Sequence, residues 1–257
     1  MIAALVQVLP FVGLSFGVSL IAFLLIATVP GAESPEGVPG LPIWILAAWG
    51  PSLAALYLAA ERGGLADLLR RTVQLGSVPL AVWLMVAVPL AFVVFLVATS
   101  GDGSPREGLA PSTVLLLVAI NLILGPLGEE LGWRGTMQDA LTGRFGWLGA
   151  SLVVGVVWYV WHLPLWTVAS PQRDIPVLLF GGHVMAYAIL IGAAHALSGG
   201  SLVPAILLHL TINVAAGLAL LTVSPDSVHW FRVTLVPYWI AALVAAGYVA
   251  LNPPAPP

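Results

Sequence analysis

Two adjacent carboxylates, Glu129 and Glu130, interrupt a strongly apolar stretch of the sequence. Placing one ionisable side chain at membrane depth costs about 2.5–3.5 kcal/mol on insertion scales, and such groups are usually functional. Arg134 follows Glu130 by four residues, which on a helix is the orientation that favours an ion pair. The pair would neutralise Glu130 and leave Glu129 free for chemistry.

Two histidines and an asparagine lie in other apolar stretches. His162 follows Trp158 by four residues and Asn213 follows His209 by four, so on helices each pair shares a face. A carboxylate and an imidazole can bind and deprotonate a water, and a further imidazole and an amide can donate hydrogen bonds to the oxyanion of an attacked carbonyl. Glu129, His162 and His209 could instead hold a divalent metal such as zinc, which would activate the water. Both mechanisms fit hydrolysis of an amide bond within a membrane, and both stay open here.

The elements that carry these residues are predicted to be transmembrane helices. The 257-residue chain is 60% hydrophobic and 7% charged, whereas soluble domains contain about 25% charged residues. Its apolar runs are too long and continuous for barrel strands. The predicted fold class is therefore all-α, a polytopic transmembrane helix bundle of about eight spans. These lie near 3–29, 41–60, 78–99, 113–131, 147–168, 176–197, 201–222 and 233–251.

The composition also excludes several classes of function. The chain has no cysteine, which excludes disulfides, thiolate metal sites and a cysteine nucleophile. Its eight basic residues form no block of the kind that binds nucleic acid. No His-Glu-x-x-His motif occurs, which argues against zincin-type proteases.

The distribution of arginines predicts an orientation in the membrane. Arg62, Arg70 and Arg71 make the second connection the most basic, which places it in the cytoplasm, with both termini on the same side if the number of spans is even. The same orientation places Arg134 and Arg144 inside and Arg106, Arg173 and Arg232 outside.

This orientation separates two candidate residues in depth. Glu129 would lie near the inner face, while His162 would be about 15 residues, some 20 Å, into its span. For the two to converge, the helices would have to tilt or the fifth helix would have to begin outside the bilayer.

Three motifs occur in order over residues 113–222: Glu-Glu-x-x-x-Arg, aromatic-x-x-x-His and His-x-x-x-Asn. Together they resemble the CPBP family of intramembrane proteases, the type II CAAX prenyl endopeptidase group, which includes bacterial proteins similar to lysostaphin resistance protein A. The context from Gly200 to His209 is also typical of that family. The resemblance implies a protease core at 113–222. Transmembrane helices without a recognised motif precede it at 1–112, and a last transmembrane helix and proline-rich tail follow at 223–257.

The resemblance also implies roles for single residues. Glu129 would activate the water together with His162. His209 and Asn213 would stabilise the oxyanion, or His209 would be a metal ligand. The remaining motif residues, Glu130 and Arg134, would hold the first motif in shape.

One position departs from the family pattern. The aromatic residue of the second motif is commonly phenylalanine, and here it is Trp158, which is larger and carries an N–H that needs a partner. This departure bears on the shape that faces the substrate and leaves the chemistry intact.

Three functions are compatible with these observations. The leading hypothesis is an intramembrane endopeptidase in the plasma membrane of a prokaryote. Its substrate would be a membrane-associated protein or peptide, with CAAX-type ends as one candidate. The alternative is a catalytically inactive membrane scaffold or bacteriocin-immunity-type factor of the same fold. The third is a proton-coupled or small-solute transporter, which the lack of an internal repeat disfavours.

Overall fold

The protein is a bundle of apolar helices. Its structure, a computed structural model, describes residues 2–76, 78–99, 109–223 and 226–254, with side chains from residue 8 onward. Within these ranges the regular elements are all helical, which confirms the predicted all-α fold class. The predicted connection at 100–108, with Arg106, and the end of the proline-rich tail at 255–257 lie outside the described residues.

The α-helices are numbered in chain order, and a π-helix and a 3-10 helix accompany them. They are α1 (Ile2–Thr28), α2 (Gly40–Glu61), α3 (Leu65–Arg71), α4 (Leu80–Thr99), α5 (Pro111–Leu124), α6 (Pro126–Gly132), the π-helix (Trp133–Gln138), α7 (Asp139–His162), the 3-10 helix (Leu163–Thr167), α8 (Val177–Leu197), α9 (Val203–Thr222) and α10 (Ser227–Leu251).

Seven helical stretches of the described residues are long and apolar enough to cross a membrane. One of them, 111–167, runs for 57 residues and contains both the fourth and the fifth predicted spans. The seven stretches and the eight predicted spans therefore describe the same helices. Helix α8 is the centre of the bundle, because 72% of its most apolar window is buried against at most 44% for any other stretch. Helices α7, α9 and α10 pack around it.

The long stretch folds back on itself at Gly146. The indole Nε1 of Trp158 lies 2.5 Å from Oε2 of Glu129, although 29 residues of straight helix would separate the two by about 44 Å. Gly146 interrupts α7 with φ 66° and ψ 167°, a conformation that glycine adopts without a steric penalty. The chain therefore runs as one helical limb from Pro126 to residue 145 and returns as a second limb to His162.

This reversal brings the first glutamate level with His162. The fourth helix was predicted to end near 131, but its limb continues to Gly146. Glu129 and His162 each lie about 16 residues from the turn, so along their limbs both are about 24 Å from it. The two limbs therefore bring Glu129 and His162 level with each other, which is the convergence that the proposed chemistry requires.

Hydropathy did not predict the short helix α3, which is bonded to the start of α7 and to the turn between α8 and α9. Arg71 donates from Nε to the carbonyl of Gly200 at 2.6 Å and from Nη2 to Oδ2 of Asp139 at 2.7 Å. The other oxygen of Asp139 lies 2.8 Å from Nε2 of His195. The second connection is thereby fixed to the start of α7 and to the turn between α8 and α9.

Candidate active site

The first glutamate is held by two indole groups. Glu129 lies on α6 and is 4% exposed. Its Oε2 accepts one hydrogen bond from Nε1 of Trp133 at 3.3 Å and another from Nε1 of Trp158 at 2.5 Å. Trp133 comes from the same limb, one turn further on, whereas Trp158 comes from the returning limb. Among the described side chains none donates to the other oxygen, Oε1, which is left for a water or a substrate.

The second glutamate is fully buried and joins α6 to α9. Arg134 donates from Nη1 to Oε1 of Glu130 at 2.8 Å, which is the ion pair predicted from the spacing. The same oxygen lies 2.7 Å from Nδ1 of His209. The guanidinium of Arg134 also stands 4.8 Å from the ring centroid of Trp158, within the range of a cation–π contact. Glu130 therefore serves to orient His209, and this use of its charge leaves Glu129 as the free carboxylate.

Both histidines have one ring nitrogen fixed by an oxygen acceptor. Nδ1 of His162 lies 2.8 Å from the backbone carbonyl of Trp158, which can only accept, so Nδ1 carries the proton. Nδ1 of His209 faces the carboxylate of Glu130 in the same way. In the neutral rings Nε2 is therefore an acceptor, and Nε2 of His209 donates to an oxyanion only when that ring carries both protons.

Trp158 stands between the two histidines. Its ring centroid is 5.6 Å from that of His162 and 5.3 Å from that of His209. Glu129 and His162 do not hydrogen-bond to each other in the described part of the chain; Trp158 contacts both. The structure thus brings the predicted residues into one region and connects the carboxylate to the histidines through this indole.

The candidate oxyanion donors face the break between α5 and α6. An ideal Cβ built on Gly125 would lie 2.7 Å from Nδ2 of Asn213 and 3.8 Å from Nε2 of His209. No group in the described residues hydrogen-bonds the side chain of Asn213, which is half-buried, as is His162. The carboxylates and His209 are buried. The least buried side chains of the site are therefore His162 and Asn213.

Sequence analysis missed two residues of this site, Trp133 and Gly125. Trp133 follows Glu129 by four residues, so the spacing that predicted the Glu130–Arg134 pair also contained this contact. Gly125 precedes Pro126 in the middle of an apolar run, which is a signal for a helix break. The π-helix that begins at Trp133 was also not predicted, and π-helical turns are frequent at functional sites.

The predicted metal site would need Glu129, His162 and His209 around one point. The free Nε2 atoms of the two histidines, each with Nδ1 on an oxygen acceptor, individually match the pattern of metal-binding histidines. However, the described residues contain no group of three or more His, Cys, Asp or Glu side chains that could hold a metal ion. Oε2 of Glu129 is also taken by two indoles. In this arrangement the donor set does not fit a bound metal.

Comparison with known proteins identifies the segment that carries these residues. Residues 111–215 match the family "Rce1-like: Type II CAAX prenyl endopeptidase Rce1-like". Over 98 residues, 37% of this chain, the sequence is 34% identical to a protein of Methanococcus maripaludis named CAAX prenyl protease 2. The matched stretch spans 36% of that relative's length. The resemblance to CPBP proteases is confirmed over this segment, which contains every candidate residue from Glu129 to Asn213.

Proposed function

We propose, from the match of residues 111–215 to the Rce1-like family of type II CAAX prenyl endopeptidases, that this protein is an intramembrane endopeptidase. It hydrolyses a peptide bond of a membrane-associated protein or peptide, and a CAAX-type C-terminus is the first substrate to test. The observation that supports this most is a buried carboxylate, Glu129, with one oxygen held by two indoles, beside two oriented imidazoles and an amide to which no described residue hydrogen-bonds.

Glu129 is the general base of the proposed reaction. Its Oε1 takes a proton from a water whose oxygen attacks the carbonyl carbon of the scissile bond, while Nε2 of His162 accepts the second hydrogen bond of that water. The carbonyl π electrons move to its oxygen. When the tetrahedral intermediate collapses, the C–N bond breaks and Glu129 returns the proton to the departing amine. The products are a carboxylic acid and an amine, and the enzyme is unchanged.

Asn213 and His209 stabilise the developing oxyanion. The amide Nδ2 of Asn213 supplies an N–H that has no partner in the described structure, and it lies 2.7 Å from the position that a Cβ on Gly125 would take. Nε2 of His209 faces the same point and contributes when its ring is doubly protonated. Preorganised donors of this kind typically contribute about 10²–10³ in rate each.

A metal-dependent version of the proposal uses the same residues differently. It requires Glu129 to release its indole partners and to join the Nε2 atoms of His162 and His209 around zinc, which would activate the water. We adopt the metal-free version because it needs no such rearrangement. Protein purified and assayed in excess chelator, with its metal content measured, should keep its activity; loss in chelator and recovery on adding zinc would favour the metal version.

Glu129→Gln is the variant that separates an enzyme from a binding protein of the same fold. It keeps the side-chain volume and removes the base, so we expect cleavage to fall by about 10²–10⁴ while the melting temperature stays near that of wild type. The matched control is Glu36→Gln, which changes an exposed glutamate between α1 and α2.

A comparison of wild type with Glu129→Gln can also identify the substrate. Peptide ends in membranes from cells that produce wild type or Glu129→Gln are compared by mass spectrometry, alongside a purified assay on a prenylated CAAX peptide. Identical peptide ends and an unchanged cellular phenotype in the two strains would overturn the protease proposal and favour the scaffold or immunity factor.

We also propose that the protein resides in the plasma membrane of a prokaryote with both termini in the cytoplasm. The helices capable of spanning a membrane support an integral membrane protein. The arginines at the α2–α3 end support the orientation.

A further inference from the structure

Two tryptophans direct their indole N–H groups at the same oxygen of Glu129. Nε1 of Trp133 and Nε1 of Trp158 both donate to Oε2, and both indoles are buried, at 0% and 3% exposure. We propose that Trp158 is a positioning residue of the site: its N–H fixes Glu129 so that Oε1 is the oxygen that receives the proton. This inference rests on the proposed function, in which Glu129 is the base.

Other tryptophans of the chain use their N–H groups differently. Nε1 of Trp161 donates to Oγ of Ser19 at 2.9 Å, and those of Trp44 and Trp166 donate to backbone carbonyls. Each of these acceptors is a neutral group whose bond joins one helix or connection to another. Within the described residues, a carboxylate acceptor occurs only for Trp133 and Trp158, and in both cases it is Glu129.

The bond from Trp158 differs from that of Trp133 in what it connects. Trp133 lies one turn from Glu129 on the same limb, so its bond is local. Trp158 lies one turn before His162 on the returning limb, and its backbone carbonyl is the acceptor for Nδ1 of His162. One residue therefore holds the base by its side chain and the histidine by its backbone, which fixes their relative position although they do not touch.

Phenylalanine in place of Trp158 would keep the packing of the ring and lose the hydrogen bond to Glu129. Its ring could still pack between His162 and His209 and beneath the guanidinium of Arg134. It has no N–H, so the carboxylate of Glu129 would keep only the local bond from Trp133. The ring therefore supplies the packing, and the N–H supplies the bond between the two limbs.

The test compares Trp158→Phe with Trp44→Phe, the same change on α2 at an indole whose N–H donates to the backbone carbonyl of Ala32. For Trp158→Phe we expect kcat on the identified substrate to fall by about tenfold to a hundredfold, the range for a hydrogen bond to a charged group, with KM within about twofold. Trp44→Phe should keep kcat within about twofold. A kcat for Trp158→Phe equal to that of the control, or a rise in KM alone, would overturn the proposal.

A second measurement does not depend on catalysis. In ¹⁵N-tryptophan protein, the indole signal of Trp158, assigned by its disappearance in Trp158→Phe, should move when Glu129 is changed to Gln, while that of Trp44 stays in place. An unmoved Trp158 signal would refute the bond itself. If the signal moves but neither wild type nor Glu129→Gln cleaves any substrate, the proposed function fails while the indole contact stands.

Discussion

Glu129 and Glu130 are neighbours in sequence but are used in opposite ways. Successive side chains on a helix point about 100° apart, so the first faces the returning limb of α7 and the second faces α9. Glu130 is neutralised by Arg134 and orients His209. In the described residues Glu129 accepts hydrogen bonds only from neutral indole N–H groups and forms no ion pair. One carboxylate thereby supports the structure and the other remains available as a base.

Gly125→Ala tests the space in which the oxyanion would form. The new Cβ would lie 2.7 Å from Nδ2 of Asn213 and 2.8 Å from the backbone carbonyl of Asn121, which cannot move aside. We expect kcat to fall about a hundredfold, as on loss of an oxyanion donor, together with a lower melting temperature. Steady-state kinetics and thermal unfolding in detergent measure both effects.

Two further variants separate the loss of the oxyanion donor from the steric clash at Gly125. Asn213→Ala should reproduce the loss of kcat without the loss of stability, because it removes the donor and creates no clash. Gly247→Ala, on an exposed face of α10 with no atom within 4 Å of the new Cβ, should leave both unchanged. Full activity of Gly125→Ala would show that the oxyanion does not form beside this glycine.

At the scale of the elements, hydropathy predicted the apolar helices but not the polar helical segments that extend them. The predicted spans match the observed bounds within a few residues for α2, α4, α8 and α9, because each is a single apolar run with polar ends. The limb from Pro126 extends past 131 through Arg134, Gln138 and Asp139, residues that a hydropathy window scores as a loop. The seven residues of α3 are likewise too short and polar for that window.

The residues of the site could likewise be predicted from the sequence only in part. Spacing along one helix predicted the Glu130–Arg134 pair, and the motifs indicated the two histidines and Asn213. The contacts between helices could not be predicted, because spacing along one helix says nothing about its neighbour. The bond from His209 to Glu130 and that from Trp158 to Glu129 therefore became known only from the fold.

Arg71→Ala tests whether α3 is held by its single buried arginine. The change removes the bonds to Gly200 and Asp139 from a side chain that is 16% exposed. We expect a loss of about 1–2 kcal/mol in unfolding free energy and faster amide exchange over residues 65–74. Hydrogen exchange in lipid nanodiscs measures the second effect directly.

The neighbouring arginine is the matched control. Arg70 pairs with Asp67 on the surface, where both side chains are about 60% exposed, so Arg70→Ala should change stability by only a few tenths of a kcal/mol. Equal exchange rates in the two variants would mean that the contacts of Arg71 do not hold α3.

At the scale of the whole molecule, one residue must be removed from the argument on orientation. Arg134 was counted with the cytoplasmic arginines, but it is fully buried in the bundle and paired with Glu130. It belongs to the site and carries no information about the membrane side. Arg62, Arg70, Arg71 and Arg144 remain at the end of the bundle that we propose faces the cytoplasm. Arg173 and Arg232 remain at the other, so the bias survives without the buried arginine.

The absence of cysteine from the chain makes this orientation directly testable. Single cysteines at the exposed positions Glu36, Val73, Asp174 and Asn252 would each be the only thiol in the protein. With eight crossings and cytoplasmic termini, an impermeant maleimide should label Glu36→Cys and Asp174→Cys in intact cells. Val73→Cys and Asn252→Cys should react only after permeabilisation.

The opposite labelling pattern would show that the protein has the reverse orientation in the membrane. Labelling of Glu36→Cys without Asp174→Cys would instead contradict the reversal at Gly146, because that turn is what returns α7 to the side from which α5 began.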